Sequence, residues 1–242
     1  MRITRIYTDQ PLATDTDIEL GRDAARHLVT VLRHKTGDRV RLFNGRGGEY
    51  EGDIDFASQK QLRVRTDRFT PDDRESPLHT ALGIGLSRGE RFEWVLQKAT
   101  ELGVSEILPL YTERTEVKLK GDREDKKQAR WQQVIISACE QCGRNRLPRL
   151  HGPKPLAEFL NIDTAVKLVL HHRSTVTLQS LAEQKPVSAA LLVGPEGGLS
   201  PQEITDAEQY GFQSLRLGPR ILRTETAPIT ALSVLQQLWG DF

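Results

Sequence analysis

The residues best suited to chemistry lie in two loops in the last quarter of the chain. The first, Gly194-Pro195-Glu196-Gly197-Gly198, follows the apolar run Leu191-Leu192-Val193 and precedes Leu199-Ser200-Pro201-Gln202-Glu203-Ile204. Three glycines between a strand end and a helix start let backbone come close to a ligand, exposing N–H and C=O groups that a side chain would screen. The second repeats the design: Leu215-Arg216-Leu217 runs into Gly218-Pro219-Arg220-Ile221-Leu222-Arg223-Thr224-Glu225-Thr226-Ala227-Pro228. Either loop alone also reads as a tight strand-to-helix connection. Two of matching design point to one shared pocket, with Arg223, Glu225 and Thr226 placed where chemistry often sits.

The elements that must position these loops are legible in the flanking pattern. Ser200 and Glu203 form a capping box with Pro201 at the first helical position. The helix after the second loop packs through Ala231, Val234, Leu235 and Leu238, with Thr224 or Thr226 as its cap and Pro228 in its first turn. Upstream, apolar runs at 80–86, 104–110, 167–170 and 189–193 read as strands, with 215–217 as the last. They alternate with amphipathic helices over 92–102, stopped by Gly103, and one whose Trp131, Val134, Ile135, Ala138, Cys139 and Cys142 share a face, stopped by Gly143. This is α/β grammar: a mostly parallel, helix-covered sheet. The N-terminal residues read differently. Runs at 39–43 and 62–65 alternate with period two around the turn Asn44-Gly45-Arg46-Gly47-Gly48, as in a small β-barrel. One helix, 23–33, interrupts them, with Ala24, Leu28, Val31 and Leu32 on one face. Prolines and charges gather without periodicity over 70–77, which divides the chain into domains 1–72 and 73–242.

Composition bounds the function. A chain of 242 residues, 37% apolar and 28% charged, is an ordinary soluble protein with room for a real core. Its opening, Met1-Arg2-Ile3-Thr4-Arg5, lacks the apolar stretch of a secretory signal, and nothing approaches the roughly 20 apolar residues of a membrane span. Cys139 and Cys142 are the only cysteines, so no disulfide framework is available and a cytoplasmic setting is expected. With 34 Lys and Arg against 33 acidic residues, the chain is no polycationic nucleic-acid coat. Arginine is nevertheless uneven: 12 of the 14 basic residues from Met1 to Arg74 are Arg, the side chain that holds phosphate bidentately. Since 13 acidic residues share that segment, the same arginines read equally well as solvated surface charge.

Other constellations are weighed against plainer explanations. Gly83-Ile84-Gly85-Leu86-Ser87-Arg88-Gly89 loosely resembles a dinucleotide-binding loop, but its third glycine falls one residue late. Small residues in a close-packed strand explain it better. Arg88 and Arg91 just beyond would serve RNA phosphate. Cys139 and Cys142 lie late in a helix, where a redox pair gains no lowered pKa, so helix packing is expected of them. Zinc needs four ligands, and adjacent histidines such as His171 and His172 on a strand point to opposite faces, so no metal is expected. Arg144, Asn145 and Arg146, after a helix stop, suit an RNA backbone or flipped base, or simply make a polar helix exit. No Walker loop and no Ser-His-Asp layout is present.

Taken together the motifs resemble the SPOUT methyltransferases, specifically the 16S rRNA uracil-N3 methyltransferase family. The pattern is met by Ser87-Arg88-Gly89-Glu90 leading to Gln97-Lys98-Ala99-Thr100-Glu101-Leu102-Gly103, by Ala138-Cys139-Glu140-Gln141-Cys142-Gly143-Arg144, by the Gly194 loop, and by the segment from Leu217 to Ala227. The resemblance implies a PUA-like N-terminal β-barrel that helps bind RNA and a C-terminal SPOUT α/β domain with a deep trefoil knot. It implies S-adenosylmethionine (SAM) held at Leu170, His171 and His172, at Gly194, Pro195, Glu196, Gly197 and Gly198, and at Leu217, Gly218, Ile221, Leu222, Arg223, Thr226 and Ala227. A homodimer and a 16S rRNA substrate within the small ribosomal subunit are further implications. A silent RNA-binding assembly factor and a ribose 2′-O-methyltransferase on the same fold are the rivals.

The chemistry can be argued from the reaction. The sulfonium of SAM is already a good leaving group, so the donor needs positioning more than activation. Uracil N3 carries a proton at neutral pH and is a poor nucleophile until it loses it. The site should offer a base, for which Glu225 and Glu196 are candidates, and a cation for the charge developing on the flanking carbonyl oxygens, for which Arg223 is the first choice.

Overall fold

The computed structural model describes residues 3–176, 181 and 183–242. The chain divides into two compact units: unit 1 is Met1–Glu75 with Cys139–Leu147, and unit 2 is Ser76–Ala138 with Pro148–Phe242. The return of nine residues to unit 1 is not anticipated by a boundary drawn once, at residue 72.

In unit 1, period-two alternation buries one face of each strand. β1 (Thr4–Tyr7), β2 (Asp17–Leu20), β3 (Arg39–Phe43), β4 (Glu49–Ala57) and β5 (Leu62–Thr70) form a five-stranded sheet in the order β1-β3-β4-β5-β2. β1 and β3 pair in parallel and the other neighbours antiparallel. Ile18 and Leu20 point inward while Asp17 and Glu19 face water, and Val40, Leu42, Leu62 and Val64 complete the same core. Where β4 shifts register beside Gly52, a Cβ would strike the Arg65 carbonyl, so the bulge requires glycine.

The expected helix over 23–33 forms only in part. α1 (Arg22–Arg26) gives way to a π-helical turn, His27–Val31. The wider turn shifts the helical phase: Ala25 and Leu28 are fully buried, but Val31 and Leu32, expected on the core face, are 63% and 43% exposed.

The segment returning from unit 2 is fixed by the buried Arg5. Its guanidinium pairs with Glu49 and donates to the carbonyl of Arg144 and the Oδ1 of Asn145, each at 2.8 Å. Arg144 in turn pairs with Glu75 at 2.5 Å, and Asn145 donates to the Asp72 carbonyl at 2.7 Å. Arg144 and Asn145 are 4% and 0% exposed. Their side chains are engaged inside unit 1, as in the polar helix exit that the sequence equally allows. Arg146 is exposed and pairs with Asp73 at 2.8 Å.

Unit 2 is a parallel sheet of β6 (His79–Gly85), β7 (Glu106–Tyr111), β8 (Arg149–Leu150), β10 (Val166–Leu170), β11 (Ser188–Val193) and β12 (Gln213–Leu215), ordered β12-β10-β11-β6-β7-β8, with β9 (Lys154–Pro155) also on β7. On one face pack α4 (Leu156–Leu160) and α5 (Pro201–Gln209), through Phe159, Leu160 and Ala207. α2 (Glu90–Glu101) and α6 (Thr226–Trp239) pack on each other, and α6 also meets β11. α3 (Asp122–Cys142) begins within the charged stretch expected to precede it. Gly103 and Gly143 follow their helices at φ 79° and 95°, as stop residues do. A Cβ on Gly83 would strike the Phe159 ring, and one on Gly85 would lie 2.5 Å from Pro195. These glycines serve close packing, as expected.

Candidate active site

The site is built where β10, β11 and β12 end side by side, at the carboxyl edge of the sheet where open α/β sheets bind ligands. β11 delivers Val193 into the Gly194 loop. That loop folds back on itself: the Gly198 N–H donates to the Pro195 carbonyl at 2.8 Å, and Gly198 sits at φ 70°. A Cβ at Gly194 would lie 2.7 Å from the Leu199 nitrogen and 2.8 Å from the Gly198 carbonyl carbon, so the reversal needs glycine there. The expected capping box is present. Ser200 Oγ accepts from the Glu203 N–H at 3.2 Å, and Glu203 Oε2 accepts from the Ser200 N–H at 2.8 Å. The other Glu203 oxygen accepts the Glu113 N–H at 2.7 Å, tying the stretch after β7 to the loop. Arg114 then donates to the Gly197 carbonyl at 2.9 Å.

The β10 end carries His171 and His172 just past the strand. Their rings meet edge to face with centroids 5.6 Å apart, rather than pointing to opposite faces of a strand as expected. Burial holds the His171 imidazole below its usual pKa, helped by His172 and Arg173 and opposed by Glu208. It is therefore neutral at neutral pH. The His171 N–H donates to the Leu215 carbonyl at 2.9 Å, which locks this end to β12. Beyond Leu215, Gly218 takes φ 118° with no atom within 4 Å of where a Cβ would stand.

These three strand ends enclose a cavity of about 650 Å³, in the range of small-molecule sites. Leu170, His171, His172 and the whole of 194–198 line it, with Leu217, Gly218, Ile221, Leu222 and Ala227 from the last loop. Arg223, Glu225 and Thr226 do not. Arg223 and Thr226 are exposed, and the Arg223 carbonyl accepts the N–H groups of Thr226 and Ala227, each at 2.9 Å. Glu225 occupies the N-cap position of α6 without a side-chain cap bond, so the threonine cap expected there does not form. Glu196 lines the cavity, and its Oε1 accepts from the Arg88 N–H at 3.0 Å and from Arg91 at 3.5 Å. Arg88's own guanidinium pairs with Glu116 at 2.8 Å.

Four cations of the cavity wall were not singled out from sequence: Arg114, Arg173, Arg216 and Arg220. Arg216 and Arg220 lie inside the second loop motif, and their charge was the available signal. Arg114 is brought in only by the tertiary bonds to Gly197 and Glu203, which no local pattern shows. Against Glu196 and Glu208, these arginines give the wall a positive excess suited to an anionic substrate. Among the described residues no group of three or more His, Cys, Asp or Glu is placed to hold a metal ion.

The RNA methyltransferase domain family matches residues 74–236, and the RNA methyltransferase PUA domain family matches residues 20–67. The ribosomal RNA small subunit methyltransferase E of Buchnera aphidicola is 36% identical over 245 residues, covering 100% of this chain and 96% of that protein. The Bacillus subtilis protein of the same name is 30% identical, covering 94% and 93%. Among solved structures, a Legionella pneumophila protein in complex with bound SAM superposes with a TM-score of 0.96 at 43% identity, and ribosomal RNA small subunit methyltransferase E from Neisseria gonorrhoeae, bound to SAM, with 0.92 at 35%. Both alignments cover 100% of each chain. On the motifs, the matched domains and these full-length relatives, the chain belongs to the ribosomal RNA small subunit methyltransferase E family of RNA methyltransferases.

Proposed function

We propose that this protein transfers a methyl group from SAM to N3 of one uridine in 16S rRNA of the small ribosomal subunit. The observation that carries the reading is the cavity formed where β10, β11 and β12 end together, walled by glycine backbone and arginine. Its residues fit the cofactor. The Gly194 loop and Gly218 leave backbone unscreened, Leu170, Leu217 and Ile221 supply an apolar wall, and Arg216 offers a buried Nε with no hydrogen-bond partner among the described residues. When bound there, SAM supplies an electrophilic methyl.

The rest of the work falls to this chain. Burial keeps His171 from adding its charge to a wall that already carries arginines. Glu196, on the cavity wall, is the carboxylate proposed to take the N3 proton, with Arg91 and the Arg88 amide fixing its orientation. Arg223, exposed at the entry to α6, is the cation proposed to meet the uracil carbonyl oxygens once the base is turned out of its stack, with Glu225 beside it. Arg88 and Arg91, both exposed beside Glu196, are the cations proposed to meet phosphate.

The same reading includes a closed PUA-like barrel, a trefoil knot, a homodimer and a cytoplasmic setting. For the knot, the support is that the chain leaves β12 at one edge of the sheet and returns as α6 onto β11 and α2. For the dimer, it is the family resemblance, with Ile221, an apolar cavity-wall residue, 79% exposed. No helix among the described residues is long and apolar enough to cross a membrane.

The test is transfer of labelled methyl from SAM to small subunits lacking the modification, followed by nuclease digestion and mass spectrometry of the nucleosides. The expected product is 3-methyluridine. A 2′-O-methylated nucleoside would overturn the assigned chemistry, and tight subunit binding without incorporation would make the protein an assembly factor.

A further inference from the structure

The arginines of the N-terminal unit have two destinations. Those on or beside the sheet are neutralised: Arg39 pairs with Asp67 at 2.6 Å, Arg41 with Glu51 at 2.7 Å, Arg63 with Asp55 at 2.8 Å, Arg65 with Asp17 at 3.1 Å, and Arg5 with Glu49. Arg74 pairs with Asp72 at 2.8 Å. Around α1 and the π-helical turn the situation reverses. Arg22, Arg26, Arg33 and Lys60 are all exposed and form no ion pair among the described residues. Lys35, Arg46 and Arg68 also lack one, and like Arg33 they do not line the recess described next.

Arg22, Arg26 and Lys60 converge on a surface recess of about 490 Å³ together with the Thr30 hydroxyl and the Gln59 amide, and Asp23 is its one carboxylate. A guanidinium pair, an ammonium, a hydroxyl and an amide are the donor set that phosphate oxygens take. The backbone beside them is unusual. The π-helical turn leaves Val31 and Leu32 facing solvent, and Arg33 follows at φ 60°, a left-handed conformation that an arginine adopts at a cost. Single-turn π-helical insertions and left-handed non-glycine residues concentrate at functional sites.

We propose that this recess anchors the RNA backbone to unit 1, with Arg22, Arg26 and Lys60 holding phosphates and Val31, Leu32 and Arg33 lying against the adjoining sugars and bases. The inference rests on the rRNA methyltransferase reading and names the surface by which the N-terminal unit serves it. It separates the arginines that recognise RNA from the larger number that hold the sheet.

The experiment uses the full chain and unmodified small subunits, with affinity measured by filter binding across a series of salt concentrations. Each phosphate contact contributes about 0.7 to 0.9 to the slope of log affinity against log salt. The variant R22Q/R26Q/K60Q should therefore show a slope shallower by about 2 to 3. Its affinity should fall at least about tenfold, with SAM affinity by calorimetry unchanged. R63Q/D55N, which removes a pair already neutral, should bind RNA like the wild type. A triple variant with unaltered affinity and slope would overturn the proposal. Wild-type protein that binds SAM but no subunit would overturn the RNA reading itself, and this inference with it. Should the triple variant fail to fold, ultraviolet cross-linking of the wild-type complex still decides: adducts are expected within 22–33 and at Lys60, and adducts confined elsewhere refute the assignment.

Discussion

The reversal of the Gly194 loop makes a quantitative demand on one atom. In Gly194→Ala the new Cβ would stand 2.7 Å from the Leu199 nitrogen, 2.8 Å from the Gly198 carbonyl carbon and 3.1 Å from the Gly198 Cα. All three are backbone, so no side-chain rotation relieves the clash. The loop must open, straining the Gly198-to-Pro195 hydrogen bond and displacing the cavity wall. Forcing a methyl into such packing costs about 1–3 kcal/mol, and restricting the unfolded chain offsets about 0.4–1 kcal/mol of it. If the strain is met by opening the loop, SAM affinity should fall roughly 5- to 150-fold, since about 1.4 kcal/mol is a factor of ten. The melting temperature should drop by only a few degrees, at about 2–4 °C per kcal/mol for a chain of this size. Isothermal calorimetry with SAM, run beside a thermal melt, measures both. Gly197→Ala is the internal comparison: its Cβ would meet Arg114 Cβ at 3.1 Å, a tight contact relieved by a shift of a few tenths of an ångström, so its loss should be smaller. A folded Gly194→Ala that binds SAM within twofold of wild type would refute the placement of the ligand against this loop.

Arg144→Ala should destabilise the fold by about 3–5 kcal/mol in denaturant titration, because it strips the partner from Glu75 within a mostly buried pair; loss of RNA affinity from a variant that keeps wild-type stability would reverse that assignment. Burial pushes the Cys139 thiol up to about 12, so it should resist alkylation at pH 8 in the native protein and react once denatured, as peptide mass spectrometry would show. Glu106 is pushed up by burial, but hydrogen bonds from His151 and His79 outweigh that and hold its carboxyl below the ordinary range. A depressed folded pKa gives stability that is present above the unfolded carboxylate value and lost as pH falls through the folded one. His151→Ala should therefore flatten the acid limb of the stability–pH curve below about pH 4.5; an unchanged limb would sink the claim. His171, held below its usual value chiefly by burial, should titrate by NMR below about 6.5, and its contribution to stability should fade as pH drops through that unfolded value.

What the sequence revealed was what local pattern encodes. The capping box at Ser200 and Glu203, the glycine stops at 103 and 143, the strand at 39–43 and the packing role of Gly83 and Gly85 all rest on neighbours within a few residues or on strict periodicity. The helix over 23–33 misled because its apolar spacing assumes 3.6 residues per turn, and one wider turn carries Val31 and Leu32 to the surface. The Gly143-Arg144-Asn145-Arg146 run shows donors in the sequence but not the acceptors that engage them. Glu75 and Asp72 lie 69 and 73 residues away, and only the folded chain brings them close. The motif offers Arg223 as the cation, whereas the cavity wall takes its cations from Arg114, Arg173, Arg216 and Arg220.

The distribution of arginine explains how a nearly neutral chain can bind a polyanion. A net charge of +1 gives no long-range pull, so any attraction to RNA must come from local excess. Most arginines of the sheet in unit 1 are cancelled within about 3 Å by an aspartate or glutamate, and cross-strand pairs of that kind steady register more than they attract ligands. Among the described residues, excess gathers in the recess beside α1, where one carboxylate faces three cations, and on the cavity wall of unit 2, where two carboxylates face four. On the proposed reading, either patch alone neutralises only a few phosphates. Removing the cations of either patch should therefore lower the salt slope of subunit binding only by the few charges that patch holds.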